Sequence, residues 1–311
     1  MSKDAPYVVS ADIGGSHITC CAADVETGQV LEDSTVEFAV DGQATKSEIL
    51  DAWAGGIRAV AERRSPDAPA GVGFAMPGAF DYRTGVAAFR GNGKFDSLFG
   101  VDVGKALTDI LGWPAPMRFI NDATAFAVGT AWRGAGQPHR RLVAITLGTG
   151  FGSAFIDGGV PVAAGDRVPE HGCLWHLPYR DGIADDYVST RWFEAQYTSL
   201  TGRSVRGVKA IAEHAGTSPE VTAIFTEYGR NLGTILAPWM NTFEAQALIL
   251  GGNVTGAIAL FAPALTDVLS GHDLRPEIAV CPLGETAALL GAARLFEADF
   301  WMRVKDELPR I

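Results

Sequence analysis

Apolar and polar positions along the chain switch between two periods. Residues 7–13 form a mostly apolar run ending in Asp12-Ile13-Gly14-Gly15-Ser16, an extended apolar pattern resumes over 17–23, and Thr27-Gly28 marks another turn before 29–38. Short runs broken by a glycine pair predict two strands joined as a hairpin. The spacing of Ile49, Leu50, Trp53, Ile57, Val60 and Ala61 predicts a helix over Lys46–Arg64. A short buried strand over 71–76 stops at Pro77-Gly78, and 81–100 is turn-rich, with Gly91-Asn92-Gly93 inside it. Residues 101–111 have helical spacing, ended by Gly112-Trp113-Pro114. The run Met117-Arg118-Phe119-Ile120 then breaks at Asn121-Asp122, and an Ala-rich helix over 123–133 begins at once.

The second part of the chain repeats the opening layout about 135 residues downstream. A strand over Arg141–Leu147 breaks at Gly148-Thr149-Gly150-Phe151-Gly152, 153–156 continues as a strand, and Gly158-Gly159 turns into 160–163. A duplicated hairpin at this separation predicts two related domains facing one cleft. Helices are expected over 181–200, 205–215, 218–242, 257–269 and 285–296. Strands are expected over 247–250, running into Gly251-Gly252-Asn253, and over 278–281.

These breaks carry the candidate chemistry. Asp122 lies where a strand hands over to a helix, and a carboxylate there is either a helix cap or a general base at the ligand-binding edge of an α/β sheet. Glycine at the Gly14-Gly15 turn lets backbone amides approach a phosphate, and Asp12 would hold a hydrated metal beside it; the alternative is a plain hairpin with a turn aspartate. Neither a Rossmann nor a Walker loop is present. Asn92 is either a tight-turn residue or a sugar-hydroxyl contact.

Composition narrows the classes. The 311 residues suffice for two domains, and 47% hydrophobic with 20% charged residues is ordinary for a globular protein. A net charge of −11 argues against nonspecific nucleic-acid binding and anionic membrane surfaces. Cys20, Cys21, Cys173 and Cys281 show no disulfide framework or C-x-x-C pair. No signal peptide precedes Tyr7 and no apolar run reaches the ~18 residues of a membrane span, so a cytoplasmic location is expected.

Four stretches resemble the ROK family of sugar kinases, within the actin/sugar-kinase/Hsp70 ATPase superfamily: Ala11-Asp12-Ile13-Gly14-Gly15-Ser16, Phe119-Ile120-Asn121-Asp122-Ala123, Thr146-Leu147-Gly148-Thr149-Gly150-Phe151-Gly152 and Leu250-Gly251-Gly252-Asn253. The resemblance covers nearly the whole chain. It implies an α/β fold of two ribonuclease-H-like domains flanking a central cleft, with ATP and a sugar bound there. The domains are expected at 1–121 and 122–284, with the C-terminal helical region 285–311 a candidate completion of the first.

By the same resemblance Asp122 is the base that takes a proton from a sugar hydroxyl, O6 of a hexose. Gly14, Gly15 and Ser16, with Gly148, Thr149 and Gly150, are the phosphate loops; Asp12 is the Mg2+-side carboxylate, acting through water, and Gly251 and Gly252 belong to the adenosine motif. Gly78, Asn92 and Asn121 fall where the family contacts sugar hydroxyls. Glu170 in Pro169-Glu170-His171-Gly172 and Asp185 in Gly182-Ile183-Ala184-Asp185-Asp186-Tyr187 take the places of sugar-binding glutamates.

The chain departs from the family at two points. Its zinc motif is missing: Cys173 takes the place of the motif's histidine with no C-x-C-x-x-x-x-C after it, so no zinc site is expected, although His171, Cys173 and His176 are close in sequence. His17 stands where relatives often have lysine. The expectation is therefore an ATP- and Mg2+-dependent hexokinase-type enzyme, glucose first, as a homodimer. Kinases of N-acetylmannosamine, N-acetylglucosamine or fructose are the alternatives, with polyphosphate as another donor. From a different class, a non-catalytic sugar-binding or regulatory protein is the competing reading; family regulators carry a DNA-binding segment ahead of the first strand, where this chain has about six residues.

Overall fold

The computed structural model describes residues 7–64, 68–91 and 93–308. In chain order the first elements are β1 (Val8–Ile13), β2 (His17–Asp24), β3 (Gln29–Val30), β4 (Val36–Ala39), α1 (Lys46–Arg64), β5 (Val72–Met76), β6 (Phe80–Asp81), β7 (Val86–Ala87), α2 (Val103–Leu111), β8 (Met117–Asn121) and α3 (Asp122–Arg133). There follow β9 (Arg141–Leu147), β10 (Phe151–Asp157), β11 (Val160–Pro161), β12 (Pro178–Tyr179), β13 (Gly182–Ile183), α4 (Ala184–Val188), α5 (Thr190–Thr201), α6 (Val208–Ala215) and α7 (Pro219–Phe243). The chain ends with β14 (Ala247–Gly251), α8 (Ile258–Gly271), β15 (Glu277–Val280), α9 (Thr286–Arg294) and α10 (Ala298–Val304).

Two compact units emerge. One comprises Met1–Gly134, Gly159–Pro161 and Glu285–Ile311; the other comprises Ala135–Gly158 and Val162–Gly284. The helix that begins at Asp122 belongs to the first.

In the first unit the sheet runs β3-β2-β1-β5-β8, with β4 on the flank of β2. β1 and β2 are antiparallel, whereas β5 lies parallel to β1 and β8 parallel to β5. All five residues of β5 are buried, as expected of a parallel strand covered on both faces. Ser10 in β1 donates its buried hydroxyl to the Leu289 carbonyl of α9 at 2.5 Å, so the polar atom inside the sheet is satisfied. α3 and α9 cross closely because glycines remove the obstruction: a Cβ on Gly129 would run into the Ala287 carbonyl, and one on Gly291 into that of Ala125.

The second unit repeats this plan. Its strands run β10-β9-β14-β15; β10 is antiparallel to β9, β14 is parallel to β9, and β15 is parallel to β14. In each unit, then, a glycine-turn hairpin is followed by two parallel strands. That shared topology is the structural form of the repeat read from the sequence.

Two expectations are corrected. Residues 181–200 are not one helix: β13 and α4 come first, Ser189 is extended (φ −100°, ψ 165°), and α5 restarts at Thr190. The restart has a tertiary cause, because the Thr190 N–H and hydroxyl donate to the Gly148 carbonyl at 2.9 and 2.8 Å. The helical stretch Asn253–Gly271 is also longer and more apolar than expected, at 19 residues with mean hydropathy 1.5, enough to pass a membrane-span criterion by length and composition. Its buried face (Phe261, Leu265, Leu269) joins the core of the second unit, and Gly229 and Gly233 of α7 allow the close approach.

Candidate active site

Asp122 is the first residue of α3, and the cap before it is Asn121. Asn121 Oδ1 accepts from the Thr124 N–H at 3.1 Å, which satisfies a free amide of the first turn. Asp122 Oδ1 accepts from the Ala123 N–H at 2.8 Å and from the Asn121 side-chain amide at 3.0 Å. Neither bond uses Oδ2. The Asn121 amide also reaches the Tyr82 hydroxyl at 3.2 Å, and that hydroxyl donates to the Met76 carbonyl at 3.2 Å. So the two residues divide the roles that the sequence left open: Asn121 caps, and Asp122 is held by one oxygen with the other outside those bonds. Burial pushes the Asp122 carboxyl above the usual carboxylate range, against the opposing pull of its hydrogen bonds.

Asp12 is the next-to-last residue of β1, beside the first glycine turn. Its carboxyl is pushed up to about 7, first by burial and then by the negative charges of Asp122 and Glu285. Three carboxylates therefore act on one region of the first unit. Across the turn the Gly14 N–H donates to the His17 carbonyl at 2.9 Å, closing the β1–β2 hairpin. Ser16 is exposed, with its hydroxyl 3.3 Å from His17 Nδ1.

The second glycine turn joins β9 to β10, and the Gly148 N–H donates to the Gly150 carbonyl at 3.2 Å. Asp185, at the start of α4, braces it: Oδ1 accepts from the Phe151 N–H at 2.6 Å, and Oδ2 pairs with Arg191 Nη2 at 2.6 Å. Arg191 Nη1 donates to the Thr149 carbonyl at 3.0 Å. Both oxygens of this candidate sugar contact are thus engaged with the turn or its arginine. Gly251 closes β14, and Gly252 has φ +85° with its α-carbon against Leu147, whose backbone a Cβ would strike.

The other candidates are dispersed. Gly78 follows β5, 3.7 Å from the Tyr82 hydroxyl as measured from the position of a Cβ. Asn92 lies outside the described residues. Glu170 is exposed on a 3-10 turn, with Oε1 3.6 Å from His171 Nε2. Cys173 follows that turn, its thiol pushed up to about 11 by burial. A groove of about 780 Å³ between α7 and α8, lined by Arg180, Glu227, Arg230 and Asp267 among others, contains none of these residues.

The ROK family model matches residues 8–299. The chain belongs to the ROK family. It is similar to a glucokinase of Thermotoga maritima (25% identity, covering 93% of this chain and 97% of that one) and to an N-acetyl-D-glucosamine kinase of Mannheimia succiniciproducens (28% identity, 72% and 80%). The solved structure of a ROK glucokinase from Streptomyces griseus, in complex with glucose and AMPPNP, superposes with a TM-score of 0.74 at 25% identity, covering 94% of this chain and 99% of that one. The fold is thus the actin-like ATPase fold of ROK proteins. Beyond the motif residues, this ROK protein brings in Tyr82, Arg191 and Glu285, none of which the motifs indicate. Each meets the candidate residues through at least one partner far along the chain, Tyr82 through Asn121, Arg191 through the Thr149 carbonyl and Glu285 through Asp12, which no local pattern reveals.

Proposed function

We propose that this ROK protein is an ATP-dependent hexose kinase that transfers the γ-phosphate to O6, with glucose as the first acceptor, and that Asp122 is its general base. One observation carries the reading: at the carboxyl end of β8 the Ala123 N–H and the Asn121 amide both hold Asp122 by Oδ1, and Asp12, next to last in β1, is near enough to feel its charge. A base needs a fixed direction and one oxygen open to the hydroxyl. Its raised affinity for a proton suits that task, since an ordinary carboxylate is a weak proton acceptor at neutral pH.

In this reading Asp122 Oδ2 receives the acceptor's proton while Asn121 and Ala123 hold the carboxylate in place. Glycine-turn amides at Gly14-Gly15-Ser16 and Gly148-Thr149-Gly150 suit phosphate oxygens, and Gly251-Gly252 permits the adenosine to approach the backbone. Gly78 and Asn121 are the nearest described candidates for reading the acceptor's hydroxyls.

Asp12 suits Mg2+. No three His, Cys, Asp or Glu side chains converge as a metal cage among the described residues, and Mg2+ characteristically takes one or two carboxylates with water and substrate phosphates. Burial first, and then the negative charges of Asp122 and Glu285, raise the Asp12 carboxyl to about 7, and a divalent cation would offset that charge. When bound, Mg2+ would neutralise charge on the transferring phosphates.

The N-acetyl-D-glucosamine kinase of Mannheimia succiniciproducens, 28% identical, makes an N-acetylhexosamine the second acceptor class. The test is ADP release from ATP and Mg2+ across hexoses and N-acetylhexosamines. Sugar-stimulated ADP with glucose foremost is expected; an N-acetylglucosamine preference would move the acceptor. No stimulation by any sugar would overturn the kinase reading in favour of a non-catalytic sugar-binding protein.

A further inference from the structure

The first glycine turn carries a cation that no motif supplies. Lys94 lies far along the chain, yet its side chain covers Gly15: a Cβ there would run into the ammonium and sit 2.9 and 3.1 Å from the ε and δ carbons. The backbone of Lys94 is fixed by its neighbour. Phe95 is 1% exposed, has φ 60°, donates its N–H to the Gly42 carbonyl at 2.6 Å and packs on Trp53 and Phe89 with ring centroids 5.4 and 5.5 Å away. Gly42 admits the lysine stem, since a Cβ on it would lie 3.5 Å from Lys94 Cβ and 3.3 Å from the Gly15 carbonyl. Lys94 is exposed and forms no salt bridge with a described residue, in a chain of net charge −11. The same turn carries the Ser16 hydroxyl and the His17 ring, whose Cε1 is 3.3 Å from the Cβ position of Gly14.

An ammonium, a hydroxyl and a Cβ-free backbone gathered at one turn are the chemistry of an anion receptor. We propose that Lys94 binds the terminal phosphate of the donor at the Gly14-Gly15-Ser16 turn. The proposal rests on the kinase reading above and assigns it a charge-neutralising residue. A lysine bonds phosphate as a compact point charge on a flexible stem, so arginine should replace it in part and glutamine poorly.

The experiment is calorimetric titration of AMPPNP and of ADP, each with Mg2+, into the unmodified protein, Lys94→Ala, Lys94→Gln and Lys94→Arg, with thermal melts as a folding control. Lys94→Ala and Lys94→Gln are expected to weaken AMPPNP by roughly 10–100-fold, the scale of a hydrogen bond to a charged group, and ADP by less than about 3-fold. Lys94→Arg should recover part of the AMPPNP affinity. Equal losses for the two nucleotides, or no loss, would overturn the role of Lys94 and leave the kinase reading standing. An unmodified protein that binds neither nucleotide would overturn both.

Discussion

Gly14-Gly15-Ser16 and Gly148-Thr149-Gly150 each link the antiparallel strands of a hairpin, yet the charges around them are balanced in opposite ways. The second turn is braced: Thr190 holds Gly148, Asp185 holds Phe151, and Arg191 spans Asp185 and the Thr149 carbonyl. Asp185 there already has its cation in Arg191. The first turn has the Lys94 ammonium over Gly15 with no salt bridge among the described residues, and Asp12 in the field of Asp122 and Glu285. Most of its hydrogen bonding is the hairpin itself. One turn is therefore complete before any ligand arrives, whereas the other has charges of both signs that a phosphate and a cation would satisfy. Ligands should change the stability of the first more than that of the second, while mutations should damage the fold of the second more than that of the first.

The largest expected effect is at the first turn's neighbour. Asp122→Asn keeps the shape and removes the proposed base, so kcat should fall by about 10²–10⁴-fold, or roughly 3–5 kcal/mol of barrier. The melting temperature of the ligand-free protein should not fall, because a desolvated carboxylate is removed. A kcat within 3-fold of the unmodified enzyme would mean the proton goes elsewhere.

Next comes Gly252→Ala. Gly252 sits at φ +85° against the backbone of Leu147, the residue before Gly148. Both the left-handed conformation and the collision oppose a Cβ, so stability should drop by about 2–4 kcal/mol, read by denaturant melts. An unchanged midpoint would show that the second turn is less tightly built than its contacts imply.

Asp185→Ala sharpens the same point with a smaller effect. It leaves the Phe151 N–H without its acceptor and frees Arg191, whose side chain is 59% exposed and so contributes little through the ion pair itself. A loss of about 1–2 kcal/mol is expected, mostly from the hydrogen bond, together with a raised KM for ATP at a constant KM for sugar. A raised sugar KM with unchanged stability would return Asp185 to the role of acceptor contact.

These differences were only partly legible in the sequence. Glycine pairs between short apolar runs located both hairpins, and period alone placed α1 at Lys46–Arg64, because burial on one face dictates both patterns. The division of labour between Asn121 and Asp122 was not legible, since adjacent Asn and Asp are equally good caps and only the backbone angles choose between them. Nor was the break at Ser189, which follows from Thr190 bonding a carbonyl 42 residues earlier. Asp185 was found as a candidate by its motif, but its engagement with the second turn depends on Arg191 and Phe151 coming together in three dimensions. Lys94 is not legible for the same reason, as its neighbour Gly15 belongs to another part of the chain.

The last effect separates the turns by pH. The Asp12 carboxyl rises from an ordinary 3.8 to about 7 on folding, so between those values the folded protein binds a proton that the unfolded chain has released. Its contribution to stability is fully present below pH 3.8 and is lost as pH rises through about 7. Asp12→Asn removes that loss. Without ligands, the variant should therefore melt at the same temperature as the unmodified protein near pH 4 and about 2–5 °C above it at pH 8. Adding Mg2+ with AMPPNP at pH 8 should reverse the order, stabilising the unmodified protein and leaving the variant nearly unmoved. Asp185, already paired with Arg191, should show no such reversal when replaced. If Asp12→Asn melted lower than the unmodified protein at pH 8 without ligands, the first turn would be as electrostatically settled as the second, and the contrast between them would fail.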